Sequence, residues 1–159
     1  MEPVIRGYRA DALDLRALLA ALRGQPIQLV RADRVYGADH LRHAAALAAR
    51  ALAEGRARAV DLATETLVYA AGERQVQKAL ALLGLREDTR AIAAIAWDEG
   101  ALDALATAQR WTRDDALLDG DERALDAFGV GEAERAMLPR ARWGDLVLER
   151  VAFSDVLKA

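Results

Sequence analysis

The sequence predicts an α+β fold, a single domain spanning residues 1–159 in which a small mixed or antiparallel sheet is packed by several helices. Three observations predict it. The 159 residues make one ordinary domain, able to bury roughly two thirds of the surface its unfolded form exposes. Apolar residues are 53% of the chain but aromatics only 5%, so the core is built of alanine and leucine, which favours closely packed helices over an aromatic-filled sandwich. Strand-like runs are separated by helical stretches of unequal length, and neither GxGxxG nor GxxxxGK[ST] occurs. This argues against a doubly wound nucleotide-binding sheet and against nucleotide hydrolysis by the chain itself.

Residues Val4 to Arg9 read as a short strand. Asp11 then caps a helix whose Leu15, Leu18, Leu19 and Leu22 form one apolar stripe, ended by Gly24 and Pro26. Ile27 to Arg31 alternates as a half-buried strand, and a turn through Asp33 and Arg34 leads to a long helix from Gly37 to Glu54. Leu41, Ala44, Ala45, Ala48 and Leu52 supply its buried face and Gly55 its C-terminal cap. Asp61 caps a helix through Ala71, Gly72 stops it, and a second helix runs from Glu73 to Leu83 before Gly84, forming a helical hairpin. Thr89 to Trp97 is β-rich, and Asp98 opens a helix carrying Leu102 and Leu105. An acidic loop follows at 112–120, then two short helical patterns, Glu122 to Phe128 and Gly131 to Leu138. Pro139 leads into a final strand, Asp145 to Phe153.

Composition narrows the function. With no cysteine, disulfides, thiolate metal sites, iron–sulfur clusters and cysteine nucleophiles are excluded. The opening MEPVIRGYRADALDLR lacks a basic-then-apolar signal layout, and no apolar run approaches the ~20 residues of a membrane span; the expected location is the cytoplasm. Residues 1–60 contain ten Arg against six acidic residues, whereas 91–159 contain eight basic against fourteen acidic. A polyanion on one side and a protein on the other would suit that asymmetry, and so would solvated arginines with no ligand at all.

Polar and aromatic groups concentrate at helix ends between Ala32 and Gly84, a pattern of recognition more than of bond-breaking. The turn Tyr69 to Gln75 places unpaired N–H groups at the start of a helix, where anions are attracted. Arg74 can grip a phosphate, Gln75 can read a base edge and Tyr69 can stack. In the plainer account Gly72 is a cap, Arg74 is solvated, Gln75 bonds nearby backbone and Tyr69 is core. Arg31, Arg34 and Tyr36 lie between a strand and a helix, where an arginine-flanked aromatic could hold single-stranded nucleic acid or simply cover the core. His40 and His43 share a helix face, and with Glu65 they define an alternative, a stand-alone metal-assisted hydrolase. The competing account makes the histidines structural or exposed, and Glu65 an arginine partner or a first-turn acid favoured by the helix dipole.

The same segment carries a resemblance. Tyr36-Gly37-x-x-His40-Leu41, then Glu65-Thr66-Leu67-Val68-Tyr69-Ala70-Ala71-Gly72-x-Arg74-Gln75-Val76 and Gly84, with a weaker echo at Leu146 to Phe153, resembles the kinase-binding regulatory subunits of the KEOPS complex, the family of the PRPK-binding protein TPRKB. Order and spacing agree over about a third of the chain; residues 1–25 and 98–143 match only in layout, and Phe153 stands where the family tends to have leucine, a core change by this reading. The resemblance implies a non-enzymatic subunit without cofactor or metal, which binds the small lobe of a PRPK-type kinase/ATPase. It also implies recruitment of tRNA by its 3′ CCA end for threonylcarbamoyl adenosine formation. On this reading Arg31, Arg34 and Arg74 meet phosphates, Tyr36 or Tyr69 contacts a base, and His40 and Gln75 hydrogen-bond it. The acidic half offers Leu102, Leu105, Met137 and Leu138 as apolar kinase anchors, chosen from composition.

Overall fold

The computed structural model describes residues 2–158, without the side chain of Lys158. Four strands, β1 (Val4–Arg9), β2 (Ile27–Arg31), β3 (Ala91–Ala96) and β4 (Thr112–Arg113), form one sheet in the order β2-β3-β1-β4. Every neighbouring pair is antiparallel, so of the two sheet types left open by the sequence, the antiparallel one is adopted. Around it lie α1 (Leu15–Leu22), α2 (Ala38–Ala53), α3 (Leu62–Ala70), α4 (Val76–Leu83), α5 (Glu99–Gln109), α6 (Glu122–Ala127), α7 (Glu132–Ala136) and α8 (Trp143–Lys158). None of the described helices is long and apolar enough to cross a membrane.

Alternation along the strands divides the core into two layers. Ile92, Ala94 and Ala96 of β3 face one side with Tyr8, Ile27 and Leu29, and meet Leu18 of α1 and Leu102 of α5. Ala93 and Ile95 face the other side with Val30, under α2, α3, α4 and Val151 of α8. Because helices cover both faces, β3 is apolar along its whole length, and its alanines let the layers approach closely. A third cluster, Leu125, Val130, Leu146 and Val147, joins α6 to α8.

Local signals set most boundaries. Asp61 and Asp98 accept the N–H of Thr64 and Ala101 and cap α3 and α5 as expected. For α1 the cap is Asp14, bonded to the N–H of Ala17, rather than Asp11; only Leu18 of its stripe is buried, and Leu19 is 55% exposed. On α2, Leu41, Ala44, Ala45 and Ala48 are buried as predicted while Leu52 is only half-buried. The hairpin's second helix starts at Val76, not Glu73, and the acidic loop at 112–120 contains β4 and a 3-10 turn, Asp115–Leu118.

The largest correction is at the C-terminus, where the predicted strand Asp145 to Phe153 lies within α8. Leu146, Val147, Val151 and Ser154 are its buried positions; Val147, Val151 and Ser154 are spaced four and three apart, so a helix satisfies the core where an alternating strand would not.

Gly7 occupies a tight place in β1. A Cβ there would stand 2.3 Å from the carbonyl oxygen of Asp114, whose own N–H donates to Gly7 O at 2.8 Å. Gly7→Ala must push the β4 connection away, and we expect a loss of about 2 kcal/mol, typical of overpacking, read as a melting temperature several degrees lower. An unchanged melting point would mean the loop yields freely.

Folding also cancels the charge asymmetry. Arg6 pairs with Glu99 and Asp103, Arg9 with Asp114, and Arg50 and Arg56 with Asp155. Arg31 and Arg42 pair locally with Asp33 and Asp39. Among the described residues, six of the ten N-terminal arginines are thus held by carboxylates, four of them by carboxylates of residues 91–159, and no uniform basic face results.

Candidate functional site

The two segments singled out in the sequence meet at one end of the molecule, and His40 joins them. It enters α2 in the first turn, is fully buried, and uses both ring nitrogens: Nδ1 accepts the Tyr36 N–H at 3.1 Å, and Nε2 donates to the Ala70 carbonyl at 2.7 Å. A neutral imidazole offers one acceptor and one donor, and both are spent. Burial pushes its pKa down to about 4 against the smaller opposing effect of the Ala70 carbonyl. Phe128 packs edge-on to the ring at 5.2 Å between centroids.

Tyr36 covers this bond. Its half-buried ring lies against Gly120 and Gly144, where a Cβ would come within 3.3 and 3.1 Å of ring carbons. Gly72, at φ +65°, turns the chain out of α3 beside Phe128 and the Arg150 carbonyl, a conformation that favours glycine. The guanidinium of Arg150 donates to the Phe128 carbonyl at 2.8 Å and to Glu134 at 2.8 Å, clasping α8 to this corner. Arg74 and Gln75 follow Gly72 as exposed side chains, neither with a side-chain partner among the described residues. Gln75 is the N-cap residue of α4, but its side chain makes no capping bond.

The direct contacts read for His40 and Tyr69 are corrected here, because neither side chain is exposed. Tyr69 donates its hydroxyl to Asp155 of α8 at 2.6 Å, and Arg56 donates to the same hydroxyl at 3.3 Å. Burial, then the Asp155 charge, push its pKa up to about 12. Burial would raise the Asp155 carboxyl, but hydrogen bonds from Tyr69, Arg56 and Arg50 outweigh it and take it down to about 2. Both residues position their surroundings: His40 ties α2 to the end of α3, and Tyr69 ties α3 to α8. Arg31 is held in a two-bond fork with Asp33, while Arg34 is half-buried without an ion pair among the described residues.

The metal-hydrolase triad is not assembled. His40 has no free nitrogen, and Glu65 Oε2 accepts the N–H groups of Arg58 and Ala59 at 2.8 and 2.7 Å, fixing the loop before α3. Together with His43 they form no group able to hold a metal, and among the described residues no three His, Asp or Glu do so.

The apolar anchors chosen from composition do not form a patch either. Leu102 is fully buried under the sheet, Leu105 packs beside it, Leu138 joins the α6–α8 cluster, and Met137 stands alone at 83% exposure. A patch does exist on α8, where Phe153, Val156 and Leu157 are 60, 66 and 47% exposed. Phe153 is therefore surface and not the core residue expected. Sequence reading missed this face because it ended a strand at Phe153 and gave Val156 and Leu157 no element; the i, i+3, i+4 spacing of the three was the available signal. It also missed Gly120, Phe128, Gly144 and Asp155, for which no local motif exists.

A family model described as kinase binding protein CGI-121 matches residues 10–135. No curated protein matches the chain.

Proposed function

The chain belongs to the kinase binding protein CGI-121 family, and we propose that it acts as a non-catalytic, cytoplasmic regulatory subunit of a KEOPS-type tRNA-modification complex. In this role it binds a PRPK-type kinase/ATPase through α8 and recruits tRNA by its 3′ CCA end. The observation that carries the reading is the α8 face. In a member of a kinase-binding family, three large apolar side chains on one face of one helix, exposed among the described residues, supply an anchor of the kind that dominates protein interfaces. Residues 143–158 lie beyond the matched segment, so this assignment rests on the exposure of α8 itself. The opposite side of the helix is fixed by Asp155, and Arg150, one turn before Phe153, clasps the helix to Phe128, so the face is presented preformed. Preferential binding to one conformation of the kinase would then shift its ATPase activity by linkage.

The RNA contact is read at the joined end of the two segments. Exposed Arg74 and Gln75, with Arg34 and the accessible edge of Tyr36, meet the phosphates and bases of a single-stranded terminus. His40 and Tyr69 act through position only. Arg74→Ala is expected to weaken binding of CCA-ended tRNA about tenfold and to lower the salt dependence by about one phosphate contact. Binding to tRNA lacking the CCA should be weak and insensitive to the change. Unaltered affinity in the variant would remove Arg74 from the site, and equal affinity for both RNAs would remove the 3′ end.

A further inference from the structure

Large exposed apolar side chains gather in two places on this molecule. One is the α8 face. The other is a groove of about 650 Å3, within the ~300–1,000 Å3 range of clefts that bury ligands. Its walls are Leu19 and Leu22 of α1 and Val76 and Leu80 of α4, with Leu62 and Trp97 among the other apolar lining residues. Leu19 and Leu80 remain 55 and 50% exposed. No residue of α8 lines the groove.

The groove borders edge strand β2, yet that edge is closed to an added strand. The side-chain amide of Gln28 accepts the Leu29 N–H at 3.1 Å and donates to the Ala63 carbonyl at 3.0 Å, while the Ile27 N–H is turned into Gln25 O at 2.8 Å. An occupant must therefore dock by side chains, as an amphipathic helix does, and not by extending the sheet. The charges on the lining are unbalanced. Asp61 is engaged in capping α3, bonded to the Thr64 N–H and hydroxyl at 2.8 and 3.1 Å, whereas Arg23 is exposed and has no ion pair among the described residues. The groove calls for a short helix with anchors at i, i+3 and i+4 and an acid nearby.

This chain contains such a helix. Phe153, Val156 and Leu157 have the required spacing, and Glu149, exposed and without an ion pair among the described residues, lies one turn before Phe153 on the same face. We propose that the groove of one copy receives α8 of a second copy, head to tail, with the three apolar side chains entering it and Glu149 meeting Arg23. The two surfaces differ, so each contact uses one groove and one α8, and the association either closes as a ring, two copies exchanging α8 included, or grows as an open chain. It covers the face assigned above to the kinase, so kinase docking and self-association exclude each other; that clause rests on the proposed function, the association itself does not.

The test is sedimentation velocity of the full chain without kinase over a rising concentration series. The mass should increase with concentration. Leu80→Asp, which damages the groove, and Phe153→Glu, which damages α8, should each remain monomeric with unchanged circular dichroism. An equimolar mixture of the two should give a dimer of twice the monomer mass, because one intact groove and one intact α8 remain. A wild-type chain that stays monomeric throughout, a mixture that stays monomeric, or association undisturbed by Leu80→Asp would each overturn the proposal. Kinase added to the wild-type assemblies should dissolve them, and Leu80→Asp should still bind kinase. Assemblies that bind kinase without dissolving would refute the mutual exclusion, and loss of kinase binding only in Phe153→Glu would support the kinase reading separately.

Discussion

Phe153→Glu is expected to weaken binding of the kinase partner by a hundredfold or more while leaving the melting temperature nearly unchanged. The residue is 60% exposed, beside the exposed Val156 and Leu157 of α8, so a carboxylate there can keep its water in the free subunit. In the complex the same carboxylate would be stripped of water in the middle of an apolar contact. Losing a buried aromatic anchor costs about 2–4 kcal/mol at a typical hot spot, and a tenfold change in Kd is about 1.4 kcal/mol; the desolvated charge adds to that. Titration calorimetry with the purified kinase lobe reads the outcome. Binding within threefold of wild type would show that the kinase docks elsewhere. A fall in melting temperature comparable to that of a core variant would show instead that α8 had been displaced, and Leu157→Glu would serve as the second probe of the same face.

His40→Ala should be the most destabilising single change of the candidate site, by about 3–5 kcal/mol. It leaves the Tyr36 N–H and the Ala70 carbonyl without their partner, each a loss of about 1–3 kcal/mol when buried, and opens a void beside Phe128. For a chain of this length each kcal/mol is about 2–4 °C of melting temperature, so a drop on the order of 10 °C is expected. The wild-type protein should show the same residue in its acid sensitivity. The folded pKa of His40 is about 4 against the ordinary imidazole value of 6.5. Between those values the unfolded chain binds a proton that the folded chain refuses, so the stability due to this residue is complete above pH 6.5. It declines as the pH falls toward 4, by about 3 kcal/mol in all. Asp155 acts in a separate window. Its carboxyl is held at about 2 in the folded chain against 3.8, so its contribution survives to pH 4 and is lost below it. Denaturant melts at pH 7.5, 5.5 and 4.5 distinguish the two. A wild-type stability that is flat from 6.5 to 4.5 would mean that His40 is protonated without strain and that its bonds to Tyr36 and Ala70 carry little.

The candidate site was legible in part. Tyr36, His40, Arg74 and Gln75 stood out because helix ends concentrate polar groups in short stretches of sequence, and the structure joins these stretches through one imidazole. Their division into accessible and buried members was not legible. Tyr69 and Arg74 are both polar groups near the same turn, yet one is enclosed by Asp155 and Arg56 and the other is solvated; only residues from the far end of the chain make that difference.

Sequence alone determined the fold class, the positions of β1 to β3, the order of the helices up to α7, and the caps at Asp61 and Asp98. These follow from apolar periodicity and from hydrogen bonds between residues three apart, which any short segment carries within itself. Tertiary structure alone decided the rest. Leu146 to Phe153 has enough leucine, valine and phenylalanine to read as a strand, but the cavity left by α2, α3 and α6 accepts side chains at helical spacing, and α8 fills it. The basic front and acidic back of the chain likewise become internal pairs such as Arg6 with Asp103 and Arg56 with Asp155. Long-range packing and charge neutralisation depend on which segments meet, and no local pattern encodes that.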